Sequence, residues 1–485
     1  MHLHESVFFG IVFFLLGIFF APTMSLAGMS VSAVAIAGSL GWVAYKKGSV
    51  RLGWLATLAL MGILGGLYWT GYNVHQRDQI APLIGTQAAI RAHVIEVRKM
   101  ENSQRLIVRL DEPHTGRLSV VARAYPTVAY GDALVLTGNV QNPKEDNWRF
   151  LLKDALFATM QFPEVDRVKR NDGNPIVTRL FAIRRSAVET YKRSLPADEA
   201  ALLAGITLGE RAEFDREFRE NMANSGTTHL VALSGYNISV VAEAILLACG
   251  LLLRRTAAFY ATLGAVVGFV VMAGAEASVV RAAIMGSIVL LATHIGRTHS
   301  MRNAIAISAC AMVLYNPNVL RYDLGFQLSF AALIGIIYVK PYLDAYIKRK
   351  KSGILNWREN LSGTLSAQLM VFPILMQSVG SFSLVSLASN IVILSFIPVT
   401  MGLGFLIAAI GFVAAPLATI PAWGVSVLLQ YEIGVIELFG TYKGFTMPMT
   451  GVLLLFYYAA AGGMLLYLRH RKTQILTTTA HAAQP

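Results

Sequence analysis

Charge is what this sequence has least of. Asp, Glu, Lys and Arg make up 14% of its 485 residues, 55% of the chain is hydrophobic, and the mean hydropathy is +0.54. A soluble domain carries about 25% charged residues. The shortfall excludes a soluble enzyme, a disordered chain and a fibrous protein, and points to a polytopic membrane protein. Cysteine is also scarce: Cys249 and Cys310 both sit in apolar runs, which excludes a disulfide scaffold and zinc-type spacing. No P-loop, no G-x-G-x-x-G after a strand and no H-E-x-x-H is present. No ATP motor, catalytic site, cofactor or metal is therefore expected of these residues. The first apolar run lacks a basic stretch before it and reads as an anchor, not a cleaved signal.

The polar residues are concentrated. Residues 72–226 hold 22 of the 41 Lys and Arg and 20 of the 28 Asp and Glu. Apolar runs flank this insertion at 6–22, 27–45 and 52–70, and then at 228–253, 257–275, 277–296, 302–317, 323–340, 362–379, 384–412, 421–440 and 449–468. At roughly 30 residues per span and loop, these runs predict about 11–12 spans. The run 384–412 contains Pro398 and reads as one long kinked or re-entrant element. Basic clusters at Lys46-Lys47 with Arg51, Arg254-Arg255, Arg297 with Arg302, Lys348 to Lys351, and Arg469 with Arg471-Lys472 set the orientation. They put both termini in the cytoplasm and residues 72–226 outside it.

Within the insertion, "QAAIRAHVIEVRK", "RLIVRLDEP", "RLSVVARAYP", "DALVLTGNVQNP" and "DALFATMQFP" alternate as short strands separated by turn residues. Five strands in so short a stretch suit a small barrel, OB-like in its simplest form, with an SH3-like barrel or a plain rigid spacer as alternatives. Arg123, Tyr125, Tyr130, Trp148 and Arg149 are its candidate DNA contacts, since OB folds hold single strands by stacking over a basic groove. The few aromatics and near-neutral charge favour core packing for most of them. Residues 166–226 read as amphipathic or interfacial helices, with Phe214, Phe218 and Met222 recurring every four residues. The expected division is thus 1–71 membrane helices, 72–165 barrel, 166–226 interfacial helices, 227–470 a membrane domain and 471–485 a cytoplasmic tail.

Polar groups at membrane depth are candidates for a solute path. "SGTTHLVALSGYNISVV" places His229, Ser234, Gly235 and Asn237 at the mouth of a span, as a pore lining or hinge or as small residues that let helices pack. Ser234 and His229 do not share a helix face, which argues against catalysis. Glu243 lies two turns further in and is expected to face the bundle interior, paired or protonated. Arg281 is expected either to snorkel at the interface or to line a path for phosphate. Gln327, Gln368 and Asn390, with Pro373 and Pro398, suggest broken helices around a cavity.

Together these segments resemble the ComEC family of competence DNA-uptake channels. "ITLGERAEFDREFRENMANSGTTHLVALSGYNIS" looks like the family's entry into its first core span. "SVVRAAIMG", "DLGFQLSFAALIGI" and "TLSAQL", "FPILM", "FSLVSLASNIVI" follow in the family's order. In "SGYNIS" the aromatic and Asn237 depart from the family's pattern. The resemblance is to a form lacking the C-terminal metallo-β-lactamase-like domain, so nuclease activity does not carry over. It implies transport of single-stranded DNA across the cytoplasmic membrane during natural transformation, with the barrel holding the strand. It further implies a lipid bilayer setting, a separate cytoplasmic ATPase motor and a separate DNA receptor or nuclease. The residues alone leave two rivals, a secondary transporter for a small solute and a degenerate non-transporting paralogue.

Overall fold

The computed structural model describes residues 3–23, 52–100, 102–144, 148–170, 172–210, 214–231, 235–296, 300–346, 357–446 and 449–482, with a few isolated residues besides. In chain order the elements are α1 (Leu3–Phe20), α2 (Leu52–Ile80), β1 (Gln87–Lys99), β2 (Ser103–Leu110), β3 (Arg117–Arg123), β4 (Ala133–Gln141), α3 (Trp148–Leu152), β5 (Thr159–Gln161) and β6 (Glu164–Lys169). Then follow α4 (Pro175–Ser194), α5 (Ala197–Leu208), α6 (Arg216–Ser225), α7 (Thr228–Val231), α8 (Gly235–Leu252), α9 (Arg255–Met272), α10 (Ala277–His294), α11 (Met301–Tyr315) and α12 (Val319–Tyr322). The last are α13 (Leu324–Ile334), α14 (Lys340–Tyr346), α15 (Trp357–Ser378), α16 (Ser386–Leu394), α17 (Ile397–Val413), α18 (Thr419–Gly440) and α19 (Gly451–Ala482).

Among the described residues, six stretches are helical, long and apolar enough to cross a membrane: Glu5–Thr23, Trp54–Leu83, Arg255–Met272, Ala277–His294, Leu324–Ala345 and Ala415–Gly440. A seventh arises if α16 and α17, bent by 51° at their junction, form one broken span. Asn237–Leu252, Met301–Tyr315 and Gly451–Leu465 are apolar but shorter. The expected run 27–45 and the basic clusters at 46–51 and 348–351 lie outside the described residues. The kinked reading of 384–412 agrees with the α16–α17 bend.

The helices and strands divide into two compact units that do not follow chain order. One comprises Met1–Ile183 with Val241–Phe326, the other Arg184–Val240 with Gln327–Pro485.

In the first unit, α1 and α2 approach until their backbones touch. A Cβ on Gly17 would lie 1.9 Å from the Gly62 carbonyl oxygen, so only glycine fits there. The far end of α2 is tied to the unit's later segment. Trp69 Nε1 and Asn73 Nδ2 donate to Asn318 Oδ1 at 2.9 and 3.1 Å, and Asn318 Nδ2 donates back to Asn73 Oδ1 at 2.8 Å. Ile80 and Leu83 then enter the barrel core, so the membrane helix and the barrel share one apolar cluster.

The barrel closes because β1 serves two partners. Gln87–His93 pair with β4, and Ala92–Lys99 pair with β2 across an irregularity between Val94 and Glu96. Antiparallel β2–β3, parallel β3–β5 and antiparallel β5–β4 complete the ring. Alternation puts Ile90, Leu106, Val108, Leu118, Val120, Leu134, Leu136 and Met160 inside. The fifth strand is only three residues of the expected "DALFATMQFP", because Asp154–Ala158 form a loop. A further strand, β6, pairs with β4 beyond the expected boundary at 165.

The second unit is built around α5. Glu199 through Leu208 are all buried there, so this helix is apolar on every side and enclosed. That corrects the interfacial reading for this part of 166–226. Tyr191 on α4 is fully buried and its hydroxyl donates to the Gly404 carbonyl at 3.0 Å. The Phe214, Phe218, Met222 series does not lie on one helix. Asp215 caps α6 by accepting from the Phe218 amide at 2.6 Å, which leaves Phe214 in the preceding segment. Met222 is buried, and α6 packs along α18.

Candidate nucleic-acid interface

On the barrel, period two puts one set of residues outside just as it puts the aliphatics inside. Arg98 pairs with Arg105, Arg105 with Val121, and Val121 with Gln161, in a row that crosses four strands. Arg109 pairs with Arg117, and Arg123 with Ser103, on the same face. This file of arginines was the signal missed in the sequence, although alternate positions in "QRLIVRL" and "RLSVVAR" carry it.

The short helix α3 lies on that face, where Leu151 joins Ile107 and Leu156 in a small satellite core. It carries Phe150, whose ring is ringed by cations. Lys153 Nζ stands 4.7 Å, Arg105 Cζ 5.0 Å and Arg98 Cζ 5.5 Å from its centroid. Arg98 is compensated, with Nε 2.5 Å from Glu96 Oε1 and a terminal nitrogen 3.6 Å from Asp154. Burial pushes the Asp154 carboxyl up despite Lys153 and Arg98 beside it. Burial and the neighbouring Arg98 both make the Arg105 charge less favourable and lower its pKa.

The five barrel residues singled out in the sequence do not pack in the core. Arg123, Trp148 and Arg149 are exposed, and Tyr125 is 80% exposed in the β3–β4 connection. Tyr130 is half-buried and meets Phe181 edge-on at 5.3 Å. Trp148 lies 5.9 Å from the Tyr322 ring. Aliphatic side chains already fill the barrel interior, and these rings lie outside it.

Of the membrane candidates in the first unit, Glu243 is exposed on α8 and does not turn inward as expected. Leu246, Leu247, Leu251 and Leu252 on the same helix are exposed too, so α8 presents an uncovered side. Arg281 is the reverse case. It is 9% exposed, which removes the snorkelling reading and leaves a buried guanidinium in α10.

The second unit holds the remaining candidates. Asn237 is buried and its Nδ2 donates to the Ile206 carbonyl of α5 at 3.1 Å. His229 is exposed and its Nδ1–H donates to the Gly226 carbonyl at 3.1 Å. Gly235 opens α8 and is half-buried, Gln327 is half-buried on α13, and Ser234 lies outside the described residues. Gln368 on α15 donates to Ser386 Oγ at 2.9 Å. Asn390 on the same α16 is buried, and its Oδ1 has no hydrogen-bond partner among the described residues.

Around these two runs a polar seam that the sequence reading did not find. Ser389 Oγ donates to the Ser225 carbonyl at 2.7 Å, and Ser225 and Thr227 hydroxyls bond at 2.7 Å. Gly226, with φ of +72°, sits so close that a Cβ there would lie 2.2 Å from Ser386 Cβ. Glu432 on α18 is fully buried. Thr400 Oγ1 donates to its Oε1 at 2.7 Å, and its Oε2 has no partner among the described residues. The rule that singled out Glu243 as an intramembrane carboxylate applies to Glu432 as well. On α5, Glu199 is buried and accepts from Gln430 Nε2 at 3.0 Å. Among the described residues no group of three or more His, Cys, Asp or Glu comes together in a way that would hold a metal.

These features lie in a chain with known relatives. Residues 206–472, more than half of the chain, match the family described as Competence protein. ComE operon protein 3 of Bacillus subtilis (strain 168) is 27% identical over 219 residues, which is 45% of this chain and 27% of that protein. The match thus spans about a quarter of that relative's length. No solved structure matches the chain. The buried polar seam, the broken α16–α17 element and the apolar helices around them fall within the matched segment, and the chain belongs to the Competence protein family, the ComEC family its motifs resemble.

Proposed function

We propose that this protein passes single-stranded DNA across the cytoplasmic membrane during natural transformation, without itself being an enzyme. The family's role in competence and the set of apolar helices make it an integral membrane component of DNA uptake. The observation that carries the finer reading is that the Competence match falls on the segment holding the broken span and its buried polar groups. Discontinuous helices with freed polar groups are how membrane proteins line paths for polar solutes. The barrel is taken as OB-like and DNA-facing, outside the cytoplasm, with both termini inside. Its closed five-stranded ring and arginine-rich outer face support that reading. In the first unit Arg281, a buried cation, and in the second unit Asn237, Gln368 and Asn390 are each assigned a DNA-contacting role within their own unit. The driving ATPase and the DNA receptor or nuclease would be separate proteins.

Deleting the gene and following labelled DNA tests this. Internalisation into the cytoplasm should be lost while binding at the cell surface persists. Arg281→Ala should reduce transformation with the protein still present in the membrane. Normal transformation by that strain would remove Arg281 from the path, and unchanged internalisation in the deletion strain would remove the channel. The observation that favours a solute transporter instead is the buried Glu432 beside the broken span. That reading predicts ion-coupled uptake of a small solute and no competence phenotype.

A further inference from the structure

On the arginine face of the barrel, Arg105 combines a partly buried positive charge with no counter-charge among the described residues. Arg105 has no carboxylate within ion-pair distance among the described residues; Arg98 and the Phe150 ring stand beside it. Its Nε–H is buried and has no hydrogen-bond acceptor among the described residues. The same side chain lines a recess of about 30 Å³ together with Ser119, Lys144, Leu151, Thr159 and Gln161. A water-sized oxygen needs about 10–15 Å³, so the recess takes an oxygen or two and not a base. Its polar walls are held in place. Gln161 Nε2 donates to Thr159 Oγ1 at 3.2 Å, and Ser119 and Thr159 are buried in paired strands. Lys144 brings a second cation to the rim. Arg105 and Lys144 line the recess, and Arg98 and Lys153 stand with Arg105 at the Phe150 ring; the carboxylates of Glu96 and Asp154 are both directed to Arg98.

A buried donor that finds no acceptor in the protein is satisfied by a ligand or by water. An anion with planar or tetrahedral oxygens suits a guanidinium, which can donate to two of them at once. We infer that this recess is a phosphodiester-binding subsite for single-stranded DNA, in which Arg105 and Lys144 grip one backbone phosphate while Phe150 holds the Arg105 guanidinium flat from behind. The inference rests on the reading of the barrel as DNA-facing. It makes the first point of grip sequence-independent, because a phosphate carries no base identity. It also makes α3 a positioning element rather than a stacking platform, since cations already occupy the Phe150 ring.

The test uses the full chain in nanodiscs of zwitterionic lipid and a labelled oligo-dT strand, with affinity measured against salt. Each phosphate contact on a single strand contributes about 0.7 to the slope of log affinity against log salt. Arg105→Gln should flatten the slope by about 0.7 and weaken binding about fivefold near 0.1 M salt. Adding Lys144→Gln should change the slope little further, because both cations serve the same phosphate, and Arg105→Lys, which keeps the charge but not the planar fork, should restore the slope and only part of the affinity. Arg216→Gln, which removes an exposed arginine on α6, should leave both unchanged. Lys144 is exposed, so Lys144→Gln alone serves if the Arg105 variant does not fold. Wild-type slope in the Arg105→Gln and Lys144→Gln proteins, with the wild type binding DNA, would overturn the subsite and leave the DNA-facing barrel standing. Absence of any binding by the wild type at low salt would overturn both. Displacement of the strand by a soluble short-chain anionic phospholipid, at the same phosphate concentration as unlabelled oligonucleotide, would reassign the recess to a lipid headgroup and overturn the DNA assignment.

Discussion

Two glutamates in apolar helices show how much a single side chain depends on its surroundings. Glu243 and Glu432 look alike in sequence, yet one is exposed and the other fully buried. A buried carboxyl with one hydrogen bond and no cation tolerates a neutral isostere, because an amide oxygen accepts from Thr400 equally well. Glu432→Gln should therefore keep the detergent-extracted protein's melting temperature close to wild type. Glu432→Lys places an unpaired charge in the same site, which is expected to destabilise by about 3–5 kcal/mol and to deplete the protein from membranes. Quantitative blotting of membrane fractions and a thermal shift on the purified variants check both. Gly226 is the second sensitive position. Gly226→Ala combines a positive φ with a Cβ 2.2 Å from Ser386 Cβ, so overpacking of about 1–3 kcal/mol is expected. The same thermal shift measures it, and Ser386→Gly in the same chain should restore part of the loss.

At the scale of elements, the barrel carries a clasp with a pH dependence. His93 on β1 lies 2.7 Å from Asp111 and 3.4 Å from Asp172, joining the β1 strand to two connecting segments. The hydrogen bond that the imidazole donates to Asp111 holds it above its ordinary value of 6.5, against the effect of burial. Asp172 is held below its ordinary range by Lys169 first and then by His93. A raised histidine contributes its stability in full below the unfolded value and loses it as pH rises through the folded one. The acid side is limited by Asp172, whose contribution is lost as pH falls through its own lowered value. Protection factors of the β1–β4 amides, corrected for the intrinsic base-catalysed exchange, should accordingly be highest in mildly acidic buffer and fall toward alkaline pH. His93→Gln should flatten that fall. The membrane counterpart of the clasp is the bracket around the α16–α17 bend. Tyr431 donates to the Val392 carbonyl at 3.4 Å on one side of it, and Thr400 bonds Glu432 on the other. Adjacent residues of α18 thus hold both halves of the broken element.

For the molecule as a whole, the first unit draws on two separated stretches of chain. Residues 1–183 alone would leave Asn73 and Trp69 without Asn318, and Phe8 without the Arg302 guanidinium 4.6 Å from its ring. Unpaired polar groups of this kind at membrane depth are unfavourable. A tagged fragment 1–183 is therefore expected to retain a co-expressed fragment 241–326 through detergent purification. Asn318→Leu should abolish that retention, as read by pull-down.

What the sequence determined by itself was whatever depends on composition and period. Low charge and long apolar runs implied a membrane protein, period two implied the barrel strands, and the ordered motifs between 206 and 399 implied the family. These are properties of single segments or of their order. Tertiary structure decided which side of a helix or strand is covered, and that is set by neighbours distant in sequence. Hence α5 reads as an interfacial segment but is enclosed, and Arg281, which reads either as snorkelling or as lining a path, is buried. Hence also Tyr125, a candidate DNA contact for which core packing was the alternative, is exposed in the β3–β4 connection, while aliphatics from the strands fill the barrel interior. The contacts of Ser225 with Ser389 and of Thr400 with Glu432 join residues 164 and 32 positions apart, and no local pattern encodes either.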